Sequence, residues 1–277
     1  MKGQPSVVAH LAGGHPATAG PLQHPVWFRI DRARLYERRN VEKGLKIQPN
    51  KIQRKGWEMG IIDVLKKGRI VELNKVLEPG KEGRRLEIRK FRIFAGEFMH
   101  DIDTMSHIGT HAEAPSHFIP ALPDGKDAPD IADFPPDAWW GEAVFVNLAK
   151  LPPKSKVTPE LLKQKGIEKG DIVVMGNSPY SKDEEKIHMT DAAARWLVEA
   201  GIKLLAMDFS YSIEEDFSEL GKMRVHVDLM SRGIPLIEGL AHLDQLKEER
   251  FFFMGLPIRV KGCDAWPIRA IAIEGIL

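Results

Sequence analysis

One short segment constrains this chain more than any other: residues 106–118 read S-H-I-G-T-H-A-E-A-P-S-H-F. His107, His111, Glu113 and His117 place three imidazoles and one carboxylate within it, and both groups are common ligands of Zn²⁺ and Mn²⁺. In an extended strand alternate residues share a face, so the first three of these side chains would point the same way. The spacing therefore predicts a metal site on a strand or loop.

A helix is the alternative structure for the same segment. His107 and His111 are four residues apart, which would place them one turn apart on one helix face. Gly109, Thr110 and Pro115 oppose an uninterrupted helix, because glycine and β-branched residues weaken helices and proline interrupts them. We therefore expect a loop or strand here.

The segment resembles the signature H-x-G-T-H-x-D-x-P-x-H-F of the cyclase family. These metal-dependent hydrolases include bacterial kynurenine formamidase and isatin hydrolase. Every fixed position matches except one, since Glu113 stands where the family usually has Asp. A motif this long and chemically mixed is far more specific than a lone H-x-x-x-H pair.

A second group of residues is similar to the family's second signature. His226 is followed twelve positions later by Glu238, which ends an apolar run. Alone this pair is weak evidence, because a lone histidine often partners a carboxylate and a glutamate after a strand is often a surface residue. Because the pair follows the first motif in the same order as in the family, the two together are stronger evidence for the resemblance. With further similar segments, the resemblance spans residues 68–277.

The resemblance implies a set of six metal ligands: His107, His111, Glu113, His117, His226 and Glu238. The first three would hold one ion and the last three a second, with Glu113 bridging the two. With a single ion, His117 would instead be a proton shuttle or a substrate contact. We predict His117 and Glu238 as catalytic residues, and Phe118 and Trp140 as residues that line the substrate pocket.

Glu113 is the one departure from the family signature. Glutamate keeps the charge and both oxygen ligands of aspartate but adds a methylene, so its carboxylate reaches further from a more flexible stem. A divalent ion can still be coordinated after this change, whereas the longer stem alters the geometry of a tight bridge shaped for Asp. The metal, Zn²⁺ or Mn²⁺, and the number of ions, one or two, therefore stay open.

The composition is that of an ordinary globular protein. The 277 residues are 43% hydrophobic and 29% charged, with a formal net charge of +1, which gives no global reason to expect nucleic acid or an anionic membrane as a partner. No apolar run reaches the length of a transmembrane helix, and the start lacks the pattern of a signal peptide. The single cysteine, Cys263, fits a reducing compartment. These features predict a cytoplasmic enzyme.

The chain divides into two parts. Residues 1–67 lie outside the resemblance and comprise a Gly/Pro-rich leader followed by a basic arm, Val26–Leu65. The arm is expected to pack on its own domain or on a second subunit, which fits a homo-oligomer; RNA binding is the alternative. Residues 68–277 alternate strand and helix signals, which predicts one main domain of the α/β or α+β class. The resemblance implies the family's β/β/α fold, a mixed, partly barrel-like sheet flanked by helices.

Several elements of the second part are predicted individually. Proline after a Thr N-cap predicts a short helix from Thr158 to Gly166, and a second Thr cap followed by alanines predicts a helix at Thr190–Ala200. Apolar or alternating runs predict the strands, which are Arg69–Leu73, Leu86–Phe94, Ala143–Leu148, Asp171–Met175, Lys203–Met207 and Ile268–Ile273.

These observations lead to one main functional hypothesis. We expect a metal-dependent hydrolase that uses metal-activated water to cleave the C–N bond of a small amide, formamide or cyclic amide, with arylformamidase as the named activity. The alternative is a catalytically inactive metal-binding scaffold or assembly protein of the same fold. Retention of both ligand groups favours the enzyme.

Overall fold

The computed structural model describes residues 60–277, so the predicted leader and most of the predicted basic arm lie outside the described residues. The helices of the described part are α1 (Ile61–Lys67), α2 (Pro159–Lys163), α3 (Asp191–Ala200) and α4 (Arg224–Met230). The strands are β1 (Arg69–Glu72), β2 (Leu86–Arg92), β3 (Phe98–Thr104), β4 (His111–Glu113), β5 (Trp140–Asn147), β6 (Lys156–Val157), β7 (Ile172–Gly176), β8 (His188–Met189), β9 (Leu204–Met207), β10 (Leu236–Glu238), β11 (Arg250–Pro257) and β12 (Ala265–Glu274).

Seven strands form a closed ring in the order β12-β11-β5-β7-β9-β10-β4, because β4 pairs with β10 on one side and with β12 on the other. The steps from β5 through β7 and β9 to β10 are parallel, and the remaining pairings are antiparallel. β1 pairs with the end of β12 beyond β4. This mixed, barrel-like sheet confirms the predicted fold class.

Two apolar cores lie on the two faces of the parallel strands, because successive side chains alternate. On β7, Ile172 and Val174 belong to a core to which all seven ring strands contribute, so this core fills the ring. Val173 and Met175 point the other way and pack with buried residues of α2, α3 and α4. The helices therefore cover the outer face of the parallel strands.

The predicted helix signals are confirmed where the structure shows their caps. The Thr158 side chain accepts a hydrogen bond from the Leu161 amide at the start of α2. Thr190 does the same for Ala193 at the start of α3, and Gly201 ends that helix in the left-handed conformation. None of the helices within residues 60–277 combines the length and apolar character needed to cross a bilayer.

β2 and β3 form a separate two-stranded hairpin, with Leu86 opposite Thr104 and Arg92 opposite Phe98. The alternating run of the predicted strand Leu86–Phe94 is typical of a strand with one buried face, whereas both faces of the hairpin are largely exposed within the described residues. The difference arises because these two strands pair only with each other, so no neighbouring layer of the described part covers either face.

Candidate metal centre

The central motif is built on β4. Its antiparallel pairing with β10 places His111 opposite Glu238 and Glu113 opposite Leu236. Strand alternation puts His111 and Glu113 on one face, while Ala112 between them is buried in the core that fills the ring. The structure therefore agrees with the strand interpretation of this segment rather than with the helix.

Two further imidazoles flank the strand. His107 precedes Gly109, whose positive φ of 59° turns the chain into β4. His117 ends a single 3₁₀ turn at Pro115–His117. His226 comes from α4 in a distant part of the sequence. The fold thus brings all six predicted ligands to one place.

The carboxylate of Glu113 is the centre of this cluster. Its Oε1 lies 3.1 Å from Nε2 of His111, 3.3 Å from Nε2 of His107 and 3.9 Å from Nε2 of His117. Its Oε2 lies 3.8 Å from Nε2 of His226. The side chain is only 2% exposed, and Oε2 is buried without a hydrogen-bond partner among residues 60–277. A buried anionic oxygen left in this state is costly, and a bound cation would compensate it.

The four imidazoles share one orientation, because each Nδ1 meets an oxygen while each Nε2 faces Glu113. The oxygens are Ser106 Oγ for His107 (2.9 Å), Gly109 O for His111 (2.9 Å), Asp264 Oδ2 for His117 (2.9 Å) and Glu214 Oε1 for His226 (2.7 Å). Carbonyl and carboxylate oxygens only accept, so they hold the proton on Nδ1 of His111, His117 and His226 and leave the Nε2 lone pair for a ligand. The Ser106 hydroxyl can donate or accept, so it does not by itself fix the proton of His107.

Three groups of side chains each bring their donor atoms within 4.8 Å of one another: His107 with His111 and Glu113, Glu113 with His226 and Glu238, and His107 with His117 and Asp264. Glu113 belongs to the first two groups, which fits a carboxylate that bridges adjacent ions. His117 was predicted to join His226 and Glu238, but the structure groups it with Asp264. Imidazole and carboxylate donors in this number fit a divalent transition metal ion.

Asp264 and Glu214 were missed by the sequence reasoning. Asp264 immediately precedes β12, and the pairing of Ala265 with Glu113 carries it to the centre. Glu214 lies in an irregular segment and is buried, accepting hydrogen bonds from the amides of Val225 and His226. No local motif or spacing marks either residue, so only the tertiary fold reveals them.

Burial and the neighbouring charges shift the pKa values of the cluster. Burial favours neutral His226, yet hydrogen bonds with Glu214 and Glu238 outweigh it and raise its pKa to about 9. Burial lowers the pKa of His107, and this effect exceeds the opposing attraction of Glu113. The pKa of Glu113 is lowered, because the hydrogen bond with His111 and the nearby imidazoles outweigh its burial. Glu113 is therefore anionic at neutral pH, as a metal ligand must be.

The cluster opens into a cavity of about 420 Å³. Phe118, one of the two predicted pocket residues, lines this cavity and stacks on the His226 ring with the centroids 4.8 Å apart. Trp140, the other, lies beside Phe252 and Lys203 at the start of β5, and it is not part of the cavity wall. The register of β5 with β11 turns Trp140 toward that side of the sheet instead.

The chain is similar to known proteins. A family model described as "Putative cyclase" matches residues 21–213, which is more than half of the chain. The match begins within the segment that we placed outside the family resemblance. Kynurenine formamidase of Bacillus cereus is 28% identical over 173 residues, which cover 61% of this chain and 77% of that protein.

Solved structures share the fold. Isatin hydrolase A from Labrenzia aggregata, described as bound to benzyl benzoate, aligns with a TM-score of 0.61 at 22% identity, over 74% of this chain and 93% of that one. A structure described as a predicted metal-dependent hydrolase from Bacillus stearothermophilus aligns with a TM-score of 0.57 at 20% identity, over 75% of this chain and 99% of that one. At such low identity these likenesses show a common fold.

Proposed function

The chain belongs to the cyclase family, and we propose that it is a metal-dependent hydrolase that cleaves the C–N bond of a small amide, formamide or cyclic amide, with an arylformamide as the favoured substrate. The observation that carries the proposal is the buried Oε2 of Glu113, which has no hydrogen-bond partner in the described part of the chain and lies where two ligand groups meet. The names of its relatives, kynurenine formamidase and isatin hydrolase, favour this chemistry.

The side chains of the cluster would bind the metal in two groups. His107, His111 and Glu113 would hold one ion, and Glu113 with His226 and Glu238 a second, with Zn²⁺ or Mn²⁺ suited to this donor set. A bound ion would supply Lewis acidity, lowering the pKa of coordinated water and polarising the substrate carbonyl.

His117 would move a proton in this reaction. Asp264 accepts from its Nδ1, so Nε2 is free to take a proton from water and to return it to the departing nitrogen. Phe118 offers an aromatic surface beside the reacting groups. These roles leave His117 as the acid and base of the reaction and Glu238 as a ligand beside it.

Metal analysis combined with a hydrolysis panel tests the proposal. The purified protein is expected to contain Zn²⁺ or Mn²⁺ and to hydrolyse aryl formamides, and a chelator should abolish the activity reversibly. His111→Ala should lose both metal and activity, whereas His100→Ala, on the exposed hairpin, should keep both. Absence of bound metal, together with no hydrolysis after addition of either ion, would overturn the proposal and favour an inactive scaffold.

A further inference from the structure

Two cavities meet at the metal centre. The first, of about 420 Å³, holds Glu113, His226 and Glu238 in its wall, and a second, of about 590 Å³, is lined by His111 and shares His107 with the first. Arg84 lines both. Its guanidinium has no hydrogen bond or ion pair with any residue in the described part of the chain. A cation without a protein partner beside a reaction site is available to a ligand.

The acidic side chains around Arg84 are engaged elsewhere. Asp208, which lines both cavities, accepts hydrogen bonds from the amide and hydroxyl of Ser210 and from the amide of Asn177. Glu82 accepts from the amide of Glu78. Glu113 and Glu238 face the imidazoles of the metal centre. Bound cations would neutralise these two carboxylates, and none of the four acidic side chains pairs with Arg84 within residues 60–277.

The neighbouring arginine is held differently. Arg85 pairs with Asp103 on the hairpin, at 2.9 Å, and takes no part in either cavity wall. The two consecutive arginines therefore have different environments: Arg85 forms an ion pair with the hairpin, and Arg84 lines the cavities. This contrast provides a matched control in the same chain.

The rest of the first cavity is suited to an apolar body. Phe118, Phe209 and Phe217 are in its wall, and the side chains of Phe209 and Phe217 are 63% and 58% exposed. Its volume lies within the range of roughly 300–1,000 Å³ that is usual for small-molecule sites. An aromatic ligand with one anionic group would match both the apolar wall and the free guanidinium.

We propose that Arg84 is a specificity-determining residue that binds a carboxylate of the substrate, so that the enzyme prefers anionic over neutral aromatic amides. The inference rests on the proposed function, because it names the substrate class of that site. The planar guanidinium can donate two parallel hydrogen bonds to a carboxylate, which a neutral carboxamide cannot accept in the same way.

The test compares isosteric substrates on the full-length, metal-loaded protein. The kcat/KM ratio is measured for 2-, 3- and 4-formamidobenzoate against the corresponding formamidobenzamides. We expect the wild type to prefer the acid at one position or more, and Arg84→Gln to lower this preference about ten- to hundredfold, the range of a charge-assisted hydrogen bond. Arg84→Lys should restore part of it, and Arg85→Gln should leave it unchanged.

A binding experiment tests the role of Arg84 even if no formamide is hydrolysed. Failure of hydrolysis would count against the proposed function alone. Calorimetry then compares 2-aminobenzoate with 2-aminobenzamide on the metal-loaded protein and on Arg84→Gln. Tighter binding of the acid that is lost in the variant supports the role of Arg84. A preference that persists in the variant, or the absence of any preference in the wild type, overturns it.

Discussion

Oε1 of Glu214 lies 2.7 Å from Nδ1 of His226, and both side chains are buried. The same carboxylate accepts the amide of His226 through Oε1 and the amide of Val225 through Oε2, both at 2.9 Å. One residue outside the ligand set thus holds the first turn of α4 and the ring that it carries. The orientation of His226 depends on this carboxylate, because no other described residue accepts from its Nδ1.

Glu214→Gln is expected to weaken metal binding. Glutamine offers one accepting oxygen, so its amide group would face a backbone or ring N–H and leave that donor unpaired. We expect the metal affinity to fall about 10- to 100-fold, as is typical when a partner of a metal-binding histidine is lost. Competition with a chromophoric chelator measures it.

The neighbouring Glu215 supplies the control for that variant. Glu215 is exposed, pairs with Lys156 at 3.5 Å and accepts from the amide of Asp191, and it makes no hydrogen bond or ion pair with an imidazole within residues 60–277. Glu215→Gln should keep the affinity of the wild type. Equal affinities for the two variants would mean that Glu214 does not orient His226.

The raised pKa of His226 predicts that metal binding depends on pH. In the metal-free protein His226 is protonated below its pKa of about 9, and an ion at Nε2 must displace that proton. The apparent affinity should therefore rise with pH up to about 9 and level off above it. Calorimetry at pH 7.5 in buffers of different ionisation enthalpy should show proton release, which should decrease in Glu214→Gln. Binding without proton release at this pH would contradict the assignment of His226 as a ligand.

The sequence predicted much of the centre because its largest part is local. His107, His111, Glu113 and His117 lie on one strand and its flanking turns, so their spacing alone brings them together. Spacing alone did not predict how His226 joins them, and that assignment needed the family resemblance.

The parts that were missed depend on long-range pairing. Asp264 reaches the centre because the first residues of β12 pair with β4 and close the ring, a contact between segments about 150 residues apart. Trp140 was placed in the pocket on residue type alone, and the strand register sends it elsewhere. Periodicity indicates which elements form, and it does not determine which strands become neighbours.

Glu113 variants test whether this carboxylate bridges two ions. Glu113→Gln removes the negative charge between the two ligand groups, so we expect fewer bound ions and loss of the rise in Tm that Zn²⁺ or Mn²⁺ should produce. Glu113→Asp keeps the charge on a stem shorter by one methylene and should retain binding at reduced affinity. Elemental analysis and thermal unfolding with and without chelator measure both effects. Wild-type stoichiometry in Glu113→Gln would exclude a bridging role.

Gly239 follows Glu238 in a position where no side chain fits. Its φ is 71°, and an added Cβ would collide with the carbonyl oxygen of Gly109, which accepts from Nδ1 of His111. Gly233 has a φ of 73°, but no atom of the described residues lies within 4 Å of a Cβ added there. The two positions therefore share the cost of a left-handed conformation and differ in crowding.

Alanine at these two glycines separates the effects. Both variants should be destabilised by about 1–2 kcal/mol through the left-handed backbone, and Gly239→Ala by about 1–3 kcal/mol more through overpacking. Urea denaturation of the chelated proteins measures the difference. Gly239→Ala should also bind metal more weakly, because relief of the collision moves the carbonyl that orients His111. If the two variants are equally stable, the contact between Gly239 and Gly109 does not support the centre.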